Sequence, residues 1–292
     1  MTDDIDLALL RSVAVSVAGE AAALVAGARS AAVRDVDTKS SETDVVTAAD
    51  RESERFIRAR LAELRPGEPV FGEEEGGFGS VAGQGDGLGW VVDPIDGTVN
   101  YLYGLPWYAV SVTAQWRGES VAAAVVEPAS GRVWSAARGM GATLDSRPLR
   151  VSGADRLPVA LIGTGFSYLA KRRTWQARLA TELVSRCRDL RRCGSAVLDL
   201  CSVAAGWLDG FVEHGLSPWD WAGGSLIAAE AGAVLRVPTA DGSDPDGLGA
   251  DVTIAATPGI AAALHDLVRG VVSGGGDSGG GDSGGGAAGH PA

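Results

Sequence analysis

A chain of 292 residues, 46% of them apolar, is long enough to bury a substantial core and too apolar to stay disordered. Its formal net charge of −12 gives no electrostatic reason to bind polyanions, which argues against nucleic acid or an anionic membrane as a partner. A small anionic substrate would need a local cation to offset that field, and a bound metal supplies one.

Along the chain, Leu10, Val13, Val17 and Leu24 recur at helical spacing and predict an amphipathic helix on a core. Asp3, Asp4 and Asp6 carry the wrong charge for a secretory n-region, and Arg11, Glu20 and Arg29 interrupt the apolar stretch, so neither a signal peptide nor a membrane span is expected. A loop through Lys39-Ser40-Ser41-Glu42-Thr43-Asp44 follows. A second helix is predicted from Thr47, whose spacing to Asp50 is that of a capping box. It carries Phe56, Ile57, Leu61 and Leu64 before Pro66-Gly67 stops it. Trp90-Val91-Val92 reads as a strand that Pro94 ends. Tyr108, Val110, Val112, Ala114 and Trp116 then alternate with Ala109, Ser111, Thr113 and Gln115, the pattern of a half-buried strand. Strands over Val121 to Val126 and Arg132 to Ala136 complete an antiparallel meander.

From about Pro158 the pattern becomes alternating strand and helix. Strands are predicted at Ala160–Gly163, Asp189–Cys193, Leu208–Glu213 and Val252–Ala255. Helices are predicted at Thr174–Arg186, Ser195–Ala205, Trp219–Ala231 and Ile260–Val268. The chain therefore divides into an α+β half over residues 1–157, an α/β half over 158–272, and a disordered tail over 273–292 built on GGGDSGGGDSGGG. Three cysteines, Cys187, Cys193 and Cys201, lack C-x-x-C spacing and suggest reduced thiols in a cytoplasmic protein. Three histidines, His214, His265 and His290, are too few for a His-rich zinc site and do not suggest a histidine triad.

Three acidic clusters carry the chemistry. Gly72-Glu73-Glu74-Glu75-Gly76-Gly77, taken alone, describes a solvated loop. In Asp93-Pro94-Ile95-Asp96-Gly97-Thr98, Asp96 reads equally as the cap of a short helix, whereas Asp93, directly after Trp-Val-Val, needs a partner. In Trp219-Asp220-Trp221, Asp220 reads as a helix N-cap, and Glu230 as a structural or solvated charge. Together, Glu73, Asp93, the Ile95 carbonyl, Asp96 and Asp220 form the oxygen set that a hard divalent cation requires. Metals so held orient and acidify a water and neutralise the oxygens of a transferring phosphoryl group. The amides of Gly97 and Thr98 suit a phosphate oxygen.

WVVDPIDGTVNYLYGLPWYAVSV resembles the D-P-[ILV]-D-G-T-x-N-[FY] signature of the inositol monophosphatase family, and WDWAGGSLIAAEAGA is similar to its second signature. Gly72-Glu73-Glu74 matches the segment holding that family's first metal ligand, and Lys39-Ser40-Ser41 with Asp44 to Asp50 is similar to its mobile loop and following helix. The resemblance spans Leu7 to Leu267. It implies a layered α/β/α/β/α sandwich, a homodimer, lithium sensitivity, and two or three magnesium ions on Glu73, Asp93, Ile95, Asp96 and Asp220. Glu73, Asp50 and Thr98 are implied as catalytic residues, with Thr98 bonded to Asp50 and orienting the activated water. Gly97 and Thr98 would contact phosphate, and Gly194, Ser195, Ala196 and Glu213 a polyol; Glu74 would stand behind the metal ligands. Val99, and Glu75-Gly76-Gly77, depart from the family pattern without removing a ligand. The implied reaction is hydrolysis of a small polyol phosphate, best myo-inositol 1-phosphate. The alternatives are phosphatase activity on histidinol phosphate, 3′-phosphoadenosine nucleotides or fructose bisphosphate, or a regulatory binding role on the same fold.

Overall fold

The apolar spacing near the N-terminus is realised in α1 (Leu7–Ala32), whose Leu10, Val13, Val17, Ala21 and Val25 are buried, while Leu24 is only half-buried. In the computed structural model, which describes residues 5–32, 36–38, 45–75, 87–239 and 241–274, this helix lies beside α2 (Ala48–Leu64) on one face of a seven-stranded sheet. By length and composition Leu7–Arg29 is apolar enough to cross a membrane, but its apolar side is packed into this core. The polar residues that interrupt it are used locally: Arg11 donates to Ser135 and Thr143, and Glu20 accepts from Arg60.

The sheet runs β3 (Val70–Gly72), β4 (Leu88–Asp96), β5 (Ala109–Trp116), β6 (Glu119–Val126), β7 (Val133–Ala137), β8 (Ala142–Leu144) and β9 (Arg147–Pro148) in spatial order. Only β3 pairs in parallel. A separate ribbon joins β1 (Val36–Thr38) to β2 (Val45–Thr47). A five-stranded mixed sheet has the order β11 (Asp189–Arg191), β10 (Leu161–Thr164), β12 (Gly210–His214), β14 (Val252–Ala256), β13 (Val234–Arg236). Between the sheets lie α5 (Ala196–Ala204) and α6 (Pro218–Glu230), and on the far face lie α4 (Ala170–Arg186) and α7 (Pro258–Gly274). The result is the expected α/β/α/β/α layering. Apolar clusters fill each space between layers.

Several elements differ from the sequence reading. β5 is buried on both faces: Val110, Val112 and Ala114 face α1, while Ser111, Thr113 and Gln115 are also covered. The polar face is enclosed because α6 presents Gly223 there, where a Cβ would stand 2.8 Å from the Ser111 and Thr113 hydroxyls. α4 begins at Ala170 rather than Thr174, and α7 extends through Ser273 to Gly274, past the boundary set for the tail. The strands β1, β2, β3, β8, β9 and β13 have at most three residues each, too few to display a period. The Lys39-Ser40-Ser41 loop through Asp44, Gly76-Gly77, Met1 to Asp4, and the tail from 275 to 292 with His290 lie outside the described residues.

The central helix pair is packed through a second glycine. A Cβ at Gly224 would lie 2.7 Å from Leu200 Cβ and 3.0 Å from the Val197 carbonyl oxygen on α5. Intrinsic helix propensity favours alanine over glycine by about 1 kcal/mol, and overpacking costs about 1–3 kcal/mol. Gly224→Ala is therefore expected to lower the urea midpoint, with packing outweighing propensity.

Candidate active site

The centre of the site is built where β4 leaves its sheet. Trp90, Val91 and Val92 are buried, and the β4–β5 register shifts between Asp93 and Asp96. Pro94 does not end the strand as its missing N–H suggested. It sits in a bulge, where no ladder bond is required of it, and the strand continues to Asp96. Asp93 Oδ1 accepts the Ile95 amide at 2.9 Å, which turns the chain tightly. Carboxylate oxygens of Asp93, Asp96 and Asp220 then lie within 4.8 Å of one another. Glu73 follows β3, whose Gly72 pairs with Val92, and lines the same cavity outside that triplet.

Both suspected helix caps are corrected. Asp96 does not cap α3 (Thr98–Tyr103), whose N-cap is Gly97. Its Oδ2 instead accepts the Ser195 hydroxyl and the Val197 amide, each at 2.7 Å, at the N-terminus of α5. A carboxylate is favoured there by the orphan amides and the helix dipole. Asp220 is not the N-cap of α6 but the third residue of its first turn; Ser217 is the cap, and its amide donates to Asp220 Oδ2 at 2.7 Å. Glu230 is structural: its carboxylate accepts the amides of Gly139 and Gly141, both at 2.8 Å.

Thr98 Oγ1 stands 3.0 Å from Asp50 Oδ1 and 3.0 Å from the Ile95 carbonyl oxygen, two acceptors competing for one proton. Asp50 is fully buried, and its other oxygen accepts the Thr47 amide at 2.9 Å, completing the capping box of α2. Gly97 and Gly194 have φ of +93° and +92° and approach closely; a Cβ on Gly97 would stand 3.2 Å from the Gly194 carbonyl oxygen. Asn100 holds this junction by donating to the carbonyls of Trp107 at 2.7 Å and Cys193 at 2.9 Å.

Above these residues opens a cavity of about 310 Å³, lined by Glu73, Asp96, Gly97 and Asp220 and by Gly194, Ser195, Ala196 and Glu213. All the residues singled out around the phosphate and polyol positions thus border one space or stand directly behind it. Residues without an assigned role also face it. Asp199 is buried on the first turn of α5, and Arg192 stands at the lip. Thr164, Gly165 and Phe166 form a wall, and a Cβ at Gly165 would collide with the Glu213 carboxyl group. Asn100 was legible only as the asparagine of the first signature; Asp199 had no signal beyond its position one turn after Ser195.

Charge is concentrated here against its own cost. Burial pushes Asp96 up to about 6, opposed by the Ser195 hydroxyl and the Val197 and Ala196 amides. Asp220 is pushed well above the usual carboxylate range by burial, then by Glu73 and Asp96. Asp199 is pushed up by burial and by Asp96 and Glu213, and Glu213 rises to about 8 through burial, with Arg192 pulling it back. Burial also raises Cys187, Cys193 and Cys201, so none is an activated thiolate nucleophile. The site gathers carboxylates and offers a cation a place among them.

The family model described as the inositol monophosphatase family matches residues 6–272. The chain belongs to that family. An inositol-1-monophosphatase SuhB of Mycobacterium tuberculosis strain H37Rv is 51% identical over 280 residues, covering 89% of this chain and 93% of the relative. A solved Mycobacterium tuberculosis SuhB structure superposes with a TM-score of 0.77 at 45% identity, covering 92% of this chain and 98% of that one. A Nus factor SuhB of Pseudomonas aeruginosa is 42% identical over 195 residues, or 66% of this chain and 72% of the relative. Membership makes the protein a phosphoric monoester hydrolase of a generally metal-dependent family.

Glu213 has a thermodynamic consequence. Its folded-state pKa of about 8 exceeds the ordinary value, so the folded protein holds the proton while the unfolded chain has released it. In chelated protein, stability contributed by that proton is present at low pH and lost as pH rises from the ordinary carboxylate range through about 8. Glu213→Gln is expected to flatten the fall of Tm between about pH 5 and pH 9, leaving the slope due to the other shifted groups, Asp96, Asp199, Asp220 and the histidines among them. A slope equal to the parent's would refute the assignment.

Proposed function

We propose that the protein hydrolyses a small polyol phosphate monoester with magnesium, and that myo-inositol 1-phosphate is its substrate. The observation that carries this reading is the convergence of Asp93, Asp96 and Asp220 within 4.8 Å, beside a threonine hydroxyl backed by a buried aspartate. The donor set fits a hard divalent cation, since every ligand is oxygen; burial raises both Asp96 and Asp220, and Glu73 and Asp96 raise Asp220 further. Glu73, Asp93, the Ile95 carbonyl, Asp96 and Asp220 would hold two or three magnesium ions. Bound magnesium supplies charge neutralisation at the phosphate and acidifies water.

The chain's own residues supply position. Gly97 and Thr98 offer backbone amides to phosphate oxygens at a point where Gly97 itself carries no side chain. The Thr98 hydroxyl aims the attacking water, and Asp50 takes up the proton that moves through it. Ser195, which donates to Asp96 and accepts the Leu198 amide, keeps one lone pair for a substrate hydroxyl; Glu213, Gly194 and Ala196 complete the polyol side. A cavity of about 310 Å³ suits a single ring bearing one phosphate. Free thiols at all three cysteines support a cytoplasmic setting. Homodimer assembly and lithium inhibition belong to the same reading through the family.

The name Nus factor SuhB carried by the Pseudomonas aeruginosa relative favours a second reading, a regulatory binding role on this fold. Pull-down with Asp93→Asn separates the two, because a pure binding role survives that change. For the enzyme, Asp93→Asn or Asp220→Asn is expected to lower kcat/KM more than about 10²-fold, beyond the loss of an outer-shell partner, with the fold retained. Exhaustive chelation is expected to abolish phosphate release, and undiminished activity would overturn the metal assignment. Across a panel of phosphate esters inositol 1-phosphate should lead; histidinol phosphate leading by orders of magnitude would overturn the substrate.

A further inference from the structure

Glu54 is a carboxylate with no part in the chemistry above, yet it is completely buried. It lies on α2 one turn after Asp50, so the two acids face the same way. Its Oε2 accepts the amide of Glu74 at 2.7 Å and its Oε1 that of Glu75 at 3.0 Å, the two amides directly after Glu73. Arg58, one turn further, pairs with Glu54 at 2.7 Å and donates to the Val70 carbonyl at 2.8 Å, on the other side of Glu73. At Gly72 a Cβ would collide with the Glu54 carboxylate, so glycine is what lets that group reach the chain. Between Glu54 and Asp50, Ser53 donates to the Pro94 carbonyl at 3.3 Å. One face of α2 thus grips the backbone on both sides of Glu73 and the bulge between Asp93 and Asp96.

We propose that Glu54, with Arg58 as its counter-ion and Gly72 as its clearance, is the positioning residue that sets cation affinity by fixing Glu73. β3 ends at Gly72, so the sheet ladder holds Glu73 only from the upstream side. The two amides on Glu54 supply the downstream restraint. A buried carboxylate that accepts two amides and pairs with a guanidinium is satisfied, so the restraint is a rigid one. The inference rests on the reading of Glu73 as a metal ligand.

The test is calorimetric titration of the substrate-free full chain with magnesium and with manganese, for the parent, Glu54→Gln, Gly72→Ala and the control Glu68→Gln. Glu68 bonds Arg65 and the Trp90 indole on the same sheet edge, away from residues 73–75. Glu54→Gln removes the charge that the two amides and Arg58 share; Gly72→Ala displaces the carboxylate without altering it. Both are expected to raise the metal Kd about 10- to 100-fold, the usual cost of losing support behind a ligand. Glu68→Gln should leave the Kd unchanged, and raising magnesium should restore kcat in Glu54→Gln. Gly72→Ala carries the test if Glu54→Gln fails to fold. A folded variant with the parent's Kd overturns the inference while leaving the metal site standing, and equal weakening in Glu68→Gln also overturns it. A parent that binds neither cation overturns the metal reading and this inference with it.

Discussion

Two hydrogen bonds to one oxygen, from the Ser195 hydroxyl and the Val197 amide to Asp96, fix the exit of β4 against the first turn of α5. The strand belongs to the seven-stranded sheet, and the helix belongs to the layer between the sheets. Because Asp96 is spent on this junction, Gly97 and Gly194 are brought nearly into contact, and Asn100 can reach the carbonyls on either side. Asp220 then enters the same space from the start of α6.

That junction carries an electrostatic cost. Burial strips hydration from Asp96, Asp199, Glu213 and Asp220, and neighbouring acids add repulsion at the last three, which is why all four are displaced toward the neutral acid. A fold does not retain such an arrangement for its stability, since apolar residues there would be less costly. The arrangement makes sense as a receptor for positive charge. The remaining polar groups hold the acids in place: Ser217 for Asp220, the Ile95 amide for Asp93, and Thr98 with Asp50 beside them.

Much of this is legible in the sequence. The long helices, the meander and the alternating second half follow from apolar period, and the Thr47–Asp50 capping box followed from spacing alone. The misreadings share a cause. Read alone, Asp96 is equally a cap for the nearest helix, because sequence shows only local partners, whereas its partners are about 100 residues away. The polar face of β5 looked solvated because the alternation of Ser111 and Thr113 does not reveal that α6 will cover them. Pro94 looked like a strand end because a bulge leaves no mark in composition.

By itself the sequence determined the residue types that can meet a hard cation and a phosphate, their order, and the glycines that leave room for them. Those are properties of single side chains and of short spacings, which local sterics and periodicity dictate. Which acids share one space, which of them also accepts an amide of a distant helix, and how Glu54 comes to hold the loop after Glu73 were decided only by the tertiary structure. The reason is physical: burial, charge repulsion and hydrogen bonds between elements depend on distance in space, and packing the layers sets that distance.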